Sequence, residues 1–483
     1  MSCSTFLHDI ALGCALTGLA IASAIAANTR QAEPAPLPLG PARFRADIRS
    51  VKNSWDEIHD HGAATFFLAR VYAELGQPQK GLSLLRSCPW NEGFDPNGVG
   101  SFEALRANAQ FEAIEARVHR RFPPVHRARV AFTVAARDLF PEGIAADPGR
   151  QVFYLGSQYH DKIIRITATG AATDFVSEGT YDLMPVGGVH VEQTDHTVWA
   201  VTDPGPKDRS ELVHFDGNGK LLERHSAPGK GPHDFNDFVL RGSQEVYVTD
   251  TDGNRVYRFD RRAQSFSPLA FPRPILYPNG ITLSGDGNVL YVADMLGVLR
   301  VDLRSRSAQE VRVGGHLTLA GIDGLYWYRG SLVGLQYGAG AYRAVQWRLD
   351  ADGLRVESAR MLEYRTPLVE NPTTGAIVGS DLYFMANTGI DNLRDGHIAD
   401  RAKLAPVRIA RVHLDQPLPR CRAECDADAP SRVAPDAAAQ TRHARCTDQR
   451  SETAICLIRA GVKPAPGLIR PLSSSQFHPE FAM

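Results

Sequence analysis

Residues 278–292 read PNGITLSGDGNVLYV, and this stretch decides the fold because its pattern recurs along the chain. The turn-forming segment Pro278-Asn279-Gly280 is followed, ten to twelve residues later, by the apolar strand Leu290-Tyr291-Val292. Five further turns precede apolar strands in the same way, at Glu142, Gly187, Asn236, Asp323 and Asn371. Six units with a period of about 45 residues and several short strands each predict an all-β, six-bladed β-propeller.

The propeller is predicted to occupy residues 130–414. Its units contain strands of alternating hydrophobicity, such as Arg255-Val256-Tyr257-Arg258-Phe259, a pattern typical of half-buried strands. Because a closed ring removes exposed sheet edges, we expect residues 407–413 to supply the last strand and residues 130–134 to pair with it. That pairing would lock the two ends of the propeller together.

The first residues of the chain differ in composition from the rest. Residues 10–27 carry no charge and contain small residues spaced as in a cleavage site, as at Ala22-Ser23-Ala24. Residues 1–27 are therefore predicted to be a signal peptide or an N-terminal anchor, which implies export to the periplasm or the extracellular space. An uncleaved segment would tether the chain to a membrane, and a misannotated start codon is the alternative. Residues 28–44 are rich in proline and are predicted to form a stiff linker.

Residues 45–122 are predicted to form a small helical segment before the propeller. Apolar residues at helical spacing end at Gly76, and Pro78 opens a second helix, so the pair resembles one tetratricopeptide hairpin. A third helix is expected over residues 101–118, with Ser101 as its N-cap. A single hairpin cannot form a solenoid. It would either pack on the propeller as a cap or offer a groove to a protein partner.

Cysteine use and charge restrict the remaining possibilities. The tail over residues 415–483 contains four cysteines, which are Cys421, Cys425, Cys446 and Cys456. Their spacing favours two disulfides over a zinc site, with three pairings open. Cys88 is expected to be a buried thiol. The formal net charge of −1 and the lack of a basic run argue against a nucleic-acid partner.

Four of the six repeated turns carry an oxygen-bearing side chain at the same point, and these are Glu142, Asn236, Asn279 and Asp323. Each is predicted to start the innermost strand of its blade, so all four should point into the central tunnel at one level. Taken alone, each is an ordinary turn residue. Together they offer two carboxylates and two amide oxygens, which predict Ca²⁺, or alternatively Mg²⁺ or Mn²⁺, rather than zinc.

The ordered series Pro-Glu-Gly, Asn-Asp, Pro-Asn-Gly and Asp-Gly on successive units resembles the senescence-marker-protein (regucalcin)/gluconolactonase superfamily, over roughly residues 135–415. The resemblance implies a six-bladed propeller in which Glu142, Asn236, Asn279 and Asp323 bind a catalytic divalent metal, usually calcium. It also implies hydrolysis of a lactone or related ester, with the metal polarising the carbonyl. Asp323 would act as general base or as nucleophile.

The chain departs from the family pattern at several positions. Asp234 stands where gluconolactonase-type members carry an Arg that contacts the sugar, which weakens the case for a sugar lactone. Paraoxonase-type members have a tunnel-mouth His in the second blade, where this chain has Gly187 and Gly188, with His190 further along the strand. His233 is the better acid/base or substrate-contact candidate, although a lone His is more often structural.

The sequence therefore predicts an exported or membrane-tethered, calcium-dependent hydrolase of a small-molecule lactone or ester. Its candidate substrate contacts are Asp234, His190 and Asn371, the last of which is otherwise a turn residue. The main alternative is a non-catalytic propeller that holds a structural calcium and binds protein or small-molecule ligands, since fold does not settle function. A lyase or synthase of the strictosidine-synthase type would need a further acid in the tunnel.

Overall fold

The computed structural model describes residues 40–204, 209–340, 342–394 and 396–415. The predicted signal segment, most of the predicted linker and the four cysteines of the tail lie outside these residues. A helix begins at Pro41, so the last four residues expected in the linker belong to the helical segment instead. No helix in the described ranges combines the length and the apolar character needed to cross a membrane.

The described residues form six sheets of four or five strands arranged as the blades of a propeller, which confirms the predicted fold. Strands β1 (Val125–His126) and β2 (Arg129–Val134) come before the first blade. The first three blades, each from its inner strand outward, are β3 (Ile144–Asp147), β4 (Val152–Ser157), β5 (Lys162–Thr167) and β6 (Ala172–Val176); β7 (Val186–Glu192), β8 (Thr197–Thr202), β9 (Glu211–Phe215) and β10 (Leu221–Ser226); and β11 (Phe235–Arg241), β12 (Glu245–Asp250), β13 (Arg255–Asp260) and β14 (Ser265–Pro268).

The last three blades follow the same order, with two exceptions at their outer edges. Blades four and five are β15 (Ile281–Leu283), β16 (Val289–Asp294), β17 (Gly297–Asp302) and β18 (Ala308–Glu310); and β19 (Ile322–Tyr328), β20 (Ser331–Gln336), β21 (Arg343–Leu349) and β22 (Val356–Tyr364), to which β1 adds a fifth strand. Blade six is β23 (Gly375–Val378), β24 (Asp381–Met385), β27 (Val407–His413) and β2, and a separate hairpin joins β25 (Leu393–Arg394) to β26 (His397–Ile398).

Strand β2 closes the ring by pairing with β27 in the sixth blade, as the sequence predicted. The six inner strands β3, β7, β11, β15, β19 and β23 each contact the next, and β23 contacts β3. The circle therefore has no free edge at the junction between its first and last strands, the position where an open sheet could pair with another chain.

The stretch that defines the repeat folds as its pattern indicates. In the loop after β15, Asp286 accepts hydrogen bonds from the Ser284 hydroxyl (2.5 Å) and the Asn288 backbone amide (3.1 Å), which fixes the turn. The strand that follows, β16, then buries Leu290 and Val292 completely. The polar turn thus sets the point at which the chain reverses, and the apolar residues after it fill the space between blades.

The helical segment comprises α1 (Pro41–Asn53), α2 (His61–Glu74), α3 (Pro78–Leu85) and α4 (Ala109–Arg121). The predicted hairpin of α2 and α3 is present, with Gly76 in a left-handed conformation (φ 71°) and Pro78 in the first turn of α3. Short 3₁₀ helices cover Trp55–Glu57, Trp90–Glu92, Pro96–Gly98, Gly100–Leu105, Thr180–Asp182, Ile390–Asn392 and Arg401–Lys403.

The expected third helix was placed wrongly. Ser101 lies in a 3₁₀ helix, and α4 begins eight residues later. Its N-cap is Asn108, whose side chain accepts hydrogen bonds from the backbone amides of Gln110 (2.9 Å) and Phe111 (3.4 Å). Asn is as good an N-cap as Ser, and Asn108 is the one whose side chain bonds the free amides of the first turn.

The helical segment packs on the propeller, and Arg43 of α1 makes the most extensive polar connection. Its guanidinium donates hydrogen bonds to the backbone oxygens of Thr251 (3.0 Å) and Asp252 (2.8 Å) and to the side chains of Asp252 (3.1 Å) and Asn254 (2.9 Å). It also lies 4.1 Å from the centre of the Tyr277 ring. These contacts reach blade three and the loop that enters blade four, so the segment is a cap fixed to the propeller.

Apolar contacts complete the attachment of the cap. Leu68 and Val71 of α2 share a buried cluster with Leu276 and Leu296 of blade four. A second cluster contains the cap's one described cysteine, Cys88, which is a buried free thiol as predicted. Burial of apolar surface on both sides of this contact stabilises the cap in one position.

Candidate functional site

The residues predicted at the axis occupy equivalent positions in their blades. In four blades a glycine near the start of the inner strand leaves no room for a side chain, because a Cβ atom would lie between 2.1 and 2.9 Å from a carbonyl oxygen of the next blade. The glycine and the residue that owns the oxygen are Gly143 and Gly187, Gly188 and Asn236, Gly280 and Asp323, and Gly324 and Thr373. The inner strands therefore touch through their backbones at one level of the tunnel.

This pattern corrects the assignment in blade six. The residue equivalent to Asp323 of the preceding blade is Thr373, whose hydroxyl donates to the backbone oxygen of Glu142 (2.9 Å) and so continues the ring into blade one. Asn371 lies two residues earlier, with a left-handed backbone (φ 51°) and its amide nitrogen hydrogen-bonded to Asp391. Asn371 is a turn residue outside the ring, as its alternative interpretation proposed.

Three of the four predicted metal ligands present a buried oxygen that has no hydrogen-bond partner among the described residues. These atoms are Oδ1 of Asn236, Oδ1 of Asn279 and Oδ1 of Asp323, and Asp234 Oδ1 has the same property. The fourth ligand, Glu142, accepts a hydrogen bond from the side chain of Gln158. Buried polar atoms are nearly always paired, so a cluster of unpaired acceptors is the environment that a cation would complete.

The carboxyl groups at the axis also lack a counter-charge. Burial, and after it the charge of Asp323, raises the pKa of Glu142 well above its usual range. Burial, followed by the charge of Asp237, raises the pKa of Asp323 to about 7, while a hydrogen bond from Asn279 opposes the rise. No Lys or Arg within the described ranges forms an ion pair with Glu142 or Asp323. The described residues therefore supply no counter-charge that would favour the ionised form of these two carboxyl groups.

The donor set fits a hard divalent cation. Its atoms are all carboxylate or amide oxygens, which Ca²⁺, Mg²⁺ and Mn²⁺ prefer and which zinc does not select. In the part of the chain that the structure describes, no group of three or more His, Cys, Asp or Glu is placed to hold a metal ion. The four axial residues do not form such a group, because two of them are asparagines and only two are carboxylates.

A cavity of about 380 Å³ lies between the cap and the axis. From the propeller, its wall includes Asp234, Asn236, Thr251, Tyr277, Asn279, Asp294, Met295, Gly321, Ile322 and Tyr337. From the cap, it includes Phe44, Phe67, Arg70, Val71, Glu74 and Ser101. The cap therefore covers the same end of the tunnel at which the unpaired oxygens stand, and Asp234, a predicted substrate contact, lines the space.

The two predicted histidines are not on the cavity wall. His233 hydrogen-bonds through Nδ1 to Asp250 (2.6 Å), and its Nε2 is buried without a partner among the described residues. His190 lies along β7 with Nε2 3.3 Å from the Asp237 carboxylate, and its ring packs edge-on against Phe238. Neither histidine is among the residues that line this cavity, and each is held by a neighbouring carboxylate.

Sequence reasoning missed several residues that shape the site. Asp237 adds a buried carboxylate whose charge raises the pKa values of Glu142 and Asp323. The Asn-Asp pair that identified Asn236 contained it, so the signal was present. Gln158, which follows the second strand of blade one, and Arg70, which belongs to the cap, carry no pattern that marks them in the sequence.

No protein-family model matches the chain, and no curated protein matches its sequence. Similar solved structures include a gluconolactonase from Xanthomonas campestris, at 14% identity over 59% of this chain and 89% of that one, with a TM-score of 0.41. They also include the calcium-binding protein regucalcin from Agrobacterium tumefaciens, at 17% identity over 60% and 98% of the two chains, with a TM-score of 0.41.

Another similar structure is the PQQ-bound aldose sugar dehydrogenase from Streptomyces coelicolor, at 16% identity over 60% of this chain and 99% of that one, with a TM-score of 0.43. The similar structures named here thus include a gluconolactonase, a calcium-binding protein and a sugar dehydrogenase. At these identities and scores the likeness carries no conclusion about activity, since one propeller architecture hosts unrelated chemistries.

Proposed function

We propose that this chain is a divalent-cation-dependent hydrolase of a lactone or related ester, with Ca²⁺ as the favoured ion. The observation that carries the proposal is the set of unpaired buried oxygens on Asn236, Asn279 and Asp323, beside a cavity of small-molecule size. Ion and ligand would meet there, because the cavity wall includes Asn236 and Asn279.

The proposed chemistry assigns separate tasks to the axial residues. Glu142, Asn236, Asn279 and Asp323 would hold the cation, which when bound supplies polarisation of a carbonyl and stabilisation of negative charge on its oxygen. We assign proton transfer to Asp323, whose Oδ1 is unpaired. It would take a proton from the water that adds to the acyl carbon and return it to the leaving oxygen as the acyl C–O bond breaks. A lactone would thereby open to a hydroxy acid.

The cap supports a small substrate rather than a protein ligand at this end of the tunnel. It is fixed over the cavity by Arg43 and by apolar packing, so its helices occupy the side from which a folded partner would approach the axial residues at this end. A covered site also limits bulk water, which strengthens electrostatic interactions inside it. The competing function, a propeller with a purely structural calcium, would use the same axial oxygens but would not need the cavity beside them.

The test is to titrate metal-free protein with Ca²⁺ while following hydrolysis of a panel of lactones and aryl esters. We expect turnover that depends on Ca²⁺, that falls at least about 100-fold in Glu142→Gln and Asn279→Ala, and that is retained in Asp352→Asn, a matched control at an exposed carboxylate. Calcium that raises the melting temperature without supporting any turnover would contradict the enzyme and favour the structural calcium.

We also propose that the protein is exported. The uncharged segment over residues 10–27 supports this. Cell fractionation of the full-length chain with a C-terminal tag, compared with a variant carrying two Arg substitutions inside that segment, tests it. Equal amounts of both proteins in the cytoplasm would overturn the proposal.

A further inference from the structure

Arg70 is the one basic side chain on the described wall of the cavity. It belongs to α2 of the cap, so it faces the axial residues from the opposite side of the space. The wall also carries three acidic side chains, Glu74, Asp234 and Asp294. Asp294 is already paired with the buried Arg273, at 2.6 and 3.0 Å, and is not available to another cation.

Most of the hydrogen-bonding capacity of Arg70 is unused. One nitrogen donates to the backbone oxygen of Gly338 (2.8 Å), whereas a guanidinium has five N–H donors. No carboxylate within the described residues lies within ion-pair distance of Arg70, and Glu74, four residues along the same helix, accepts a hydrogen bond from Ser101 instead. Burial lowers the pKa of Arg70, since the nearby groups offset its loss of hydration only in part.

The bond to Gly338 places Arg70 next to the entry of blade five. Gly338 donates from its backbone to Gly321 (3.0 Å). The two glycines approach so closely that a Cβ on Gly338 would lie 2.4 Å from the Gly321 Cα. Gly321 in turn stands two residues before Asp323. Arg70 lines the same cavity as the axial residues Asn236 and Asn279, so a ligand that fills the cavity can reach both sides.

We propose that Arg70 binds a carboxylate carried by the substrate at the end remote from the reacting ester, so that the substrate is an anionic lactone or ester. Arginine matches a carboxylate with two parallel hydrogen bonds, and the half-buried guanidinium of Arg70 has donors left for such a partner on the cavity wall. The apolar wall formed by Phe44, Phe67 and Met295 would contact the carbon skeleton between the two ends. The acidic wall residues favour a singly charged carboxylate over a dianionic phosphate, because repulsion grows with ligand charge.

This assignment rests on the proposed hydrolase. One test measures hydrolysis and the other measures binding alone, so failure of the assignment can be told apart from failure of the hydrolase. The first compares kcat/KM for a lactone that carries a carboxylate with kcat/KM for its neutral amide analogue. We expect the preference for the acid to fall about 10- to 100-fold in Arg70→Gln, as the loss of a charge-assisted hydrogen bond predicts, and to recover in part in Arg70→Lys. Arg45→Gln, at an exposed arginine of the cap, should keep the preference of the wild-type protein.

The second test measures binding by calorimetry in the presence of Ca²⁺, with glutaramate and the neutral diamide glutaramide as probes. Both probes have an amide carbonyl for the axial site, and only glutaramate has a carboxylate for Arg70. Wild-type protein should prefer glutaramate, and Arg70→Gln should lose the preference while Arg70→Lys retains part of it. Equal affinity of wild-type protein for the two probes, or a preference that Arg70→Gln keeps, overturns the assignment. A preference for glutaramate that depends on Arg70, without hydrolysis of any lactone, leaves the assignment standing and overturns the hydrolase.

Discussion

The close contact between blades four and five makes a quantitative prediction at Gly280. A Cβ atom at this position would lie 2.2 Å from the backbone oxygen of Asp323 and 2.6 Å from the backbone nitrogen of Leu325. Side-chain carbons do not approach other atoms within about 3.0–3.4 Å, so in Gly280→Ala strand β19 must move away by about 0.8–1.2 Å. Because Asp323 and Asn279 are on opposite sides of this contact, the shift separates two of the four axial ligands.

Two consequences follow for Gly280→Ala, and each has its own assay. Overpacking costs about 1–3 kcal/mol and the less flexible unfolded chain returns about 0.4–1 kcal/mol, so we expect a loss of about 1–2 kcal/mol in the free energy of unfolding, measured by urea denaturation. A displacement near 1 Å between ligands should weaken Ca²⁺ binding by about 10- to 100-fold, measured by calorimetry.

Gly100→Ala is the matched control for this prediction. A Cβ at Gly100 meets no atom within 4 Å, and its backbone does not require a left-handed conformation. The control should therefore keep the Ca²⁺ affinity of the wild-type protein and lose no stability, with a gain of at most about 0.4–1 kcal/mol from the less flexible unfolded chain. If Gly280→Ala behaves like Gly100→Ala in both assays, the axial residues are not held by the backbone contact described above, and the reasoning is refuted.

Three further predictions concern the cap. Arg43→Met should lower the free energy of unfolding by about 2–3 kcal/mol, because buried charge-assisted hydrogen bonds are lost. Arg45→Met, at an exposed arginine, should change it by less than about 0.5 kcal/mol. Equal losses in the two variants would contradict the role of Arg43 in attaching the cap to the propeller. Burial, and after it the charge of Asp60, raises the pKa of Glu92 to about 8, so its stabilising contribution is complete at low pH and is lost as the pH rises through 8. Between pH 5 and 9 the unfolding free energy should fall more steeply in the wild-type protein than in Glu92→Gln, and parallel slopes would refute this. Burial raises the pKa of the Cys88 thiol, so this thiol should react with a thiol reagent only after unfolding. In denaturant, Cys88→Ser should therefore show one reactive thiol fewer than the wild-type protein, and in native buffer the two proteins should show the same number. A difference in native buffer would show that the Cys88 thiol is exposed.

The axial ring could be predicted from the sequence because its members repeat in phase. Glu142, Asn279 and Asp323 are each followed by a glycine, and the structure shows why, since the next blade's backbone occupies the place of a Cβ. Blade six broke the pattern. Its ring residue, Thr373, is followed by Thr374 rather than glycine, while Asn371 precedes a proline and resembles a turn signal.

The contribution of the cap to the site could not be predicted from the sequence. Helical periodicity identified the α2–α3 hairpin, because that pattern reflects which face is buried. It does not specify which surface the buried face contacts. The position of Arg70 over the axis depends on docking contacts between residues far apart in sequence, such as Arg43 with Asp252, and no local signal encodes them. The same limit applies to α4, because Ser and Asn are both good N-caps and only the structure shows that Asn108 accepts the hydrogen bond from the Phe111 amide.

Calorimetric titration of metal-free protein with Ca²⁺ tests the central claim most directly, in wild-type protein and in Asp323→Asn, Asn279→Ala and the exposed control Asp352→Asn. The axial oxygens predict one site per chain that is retained in the control and weakened at least about 10-fold in both axial variants. Saturating the site at about 100 times its Kd should stabilise the wild-type fold by about 2.7 kcal/mol. Calcium binding of equal strength in all four proteins would place the ion elsewhere and contradict the account of the axis.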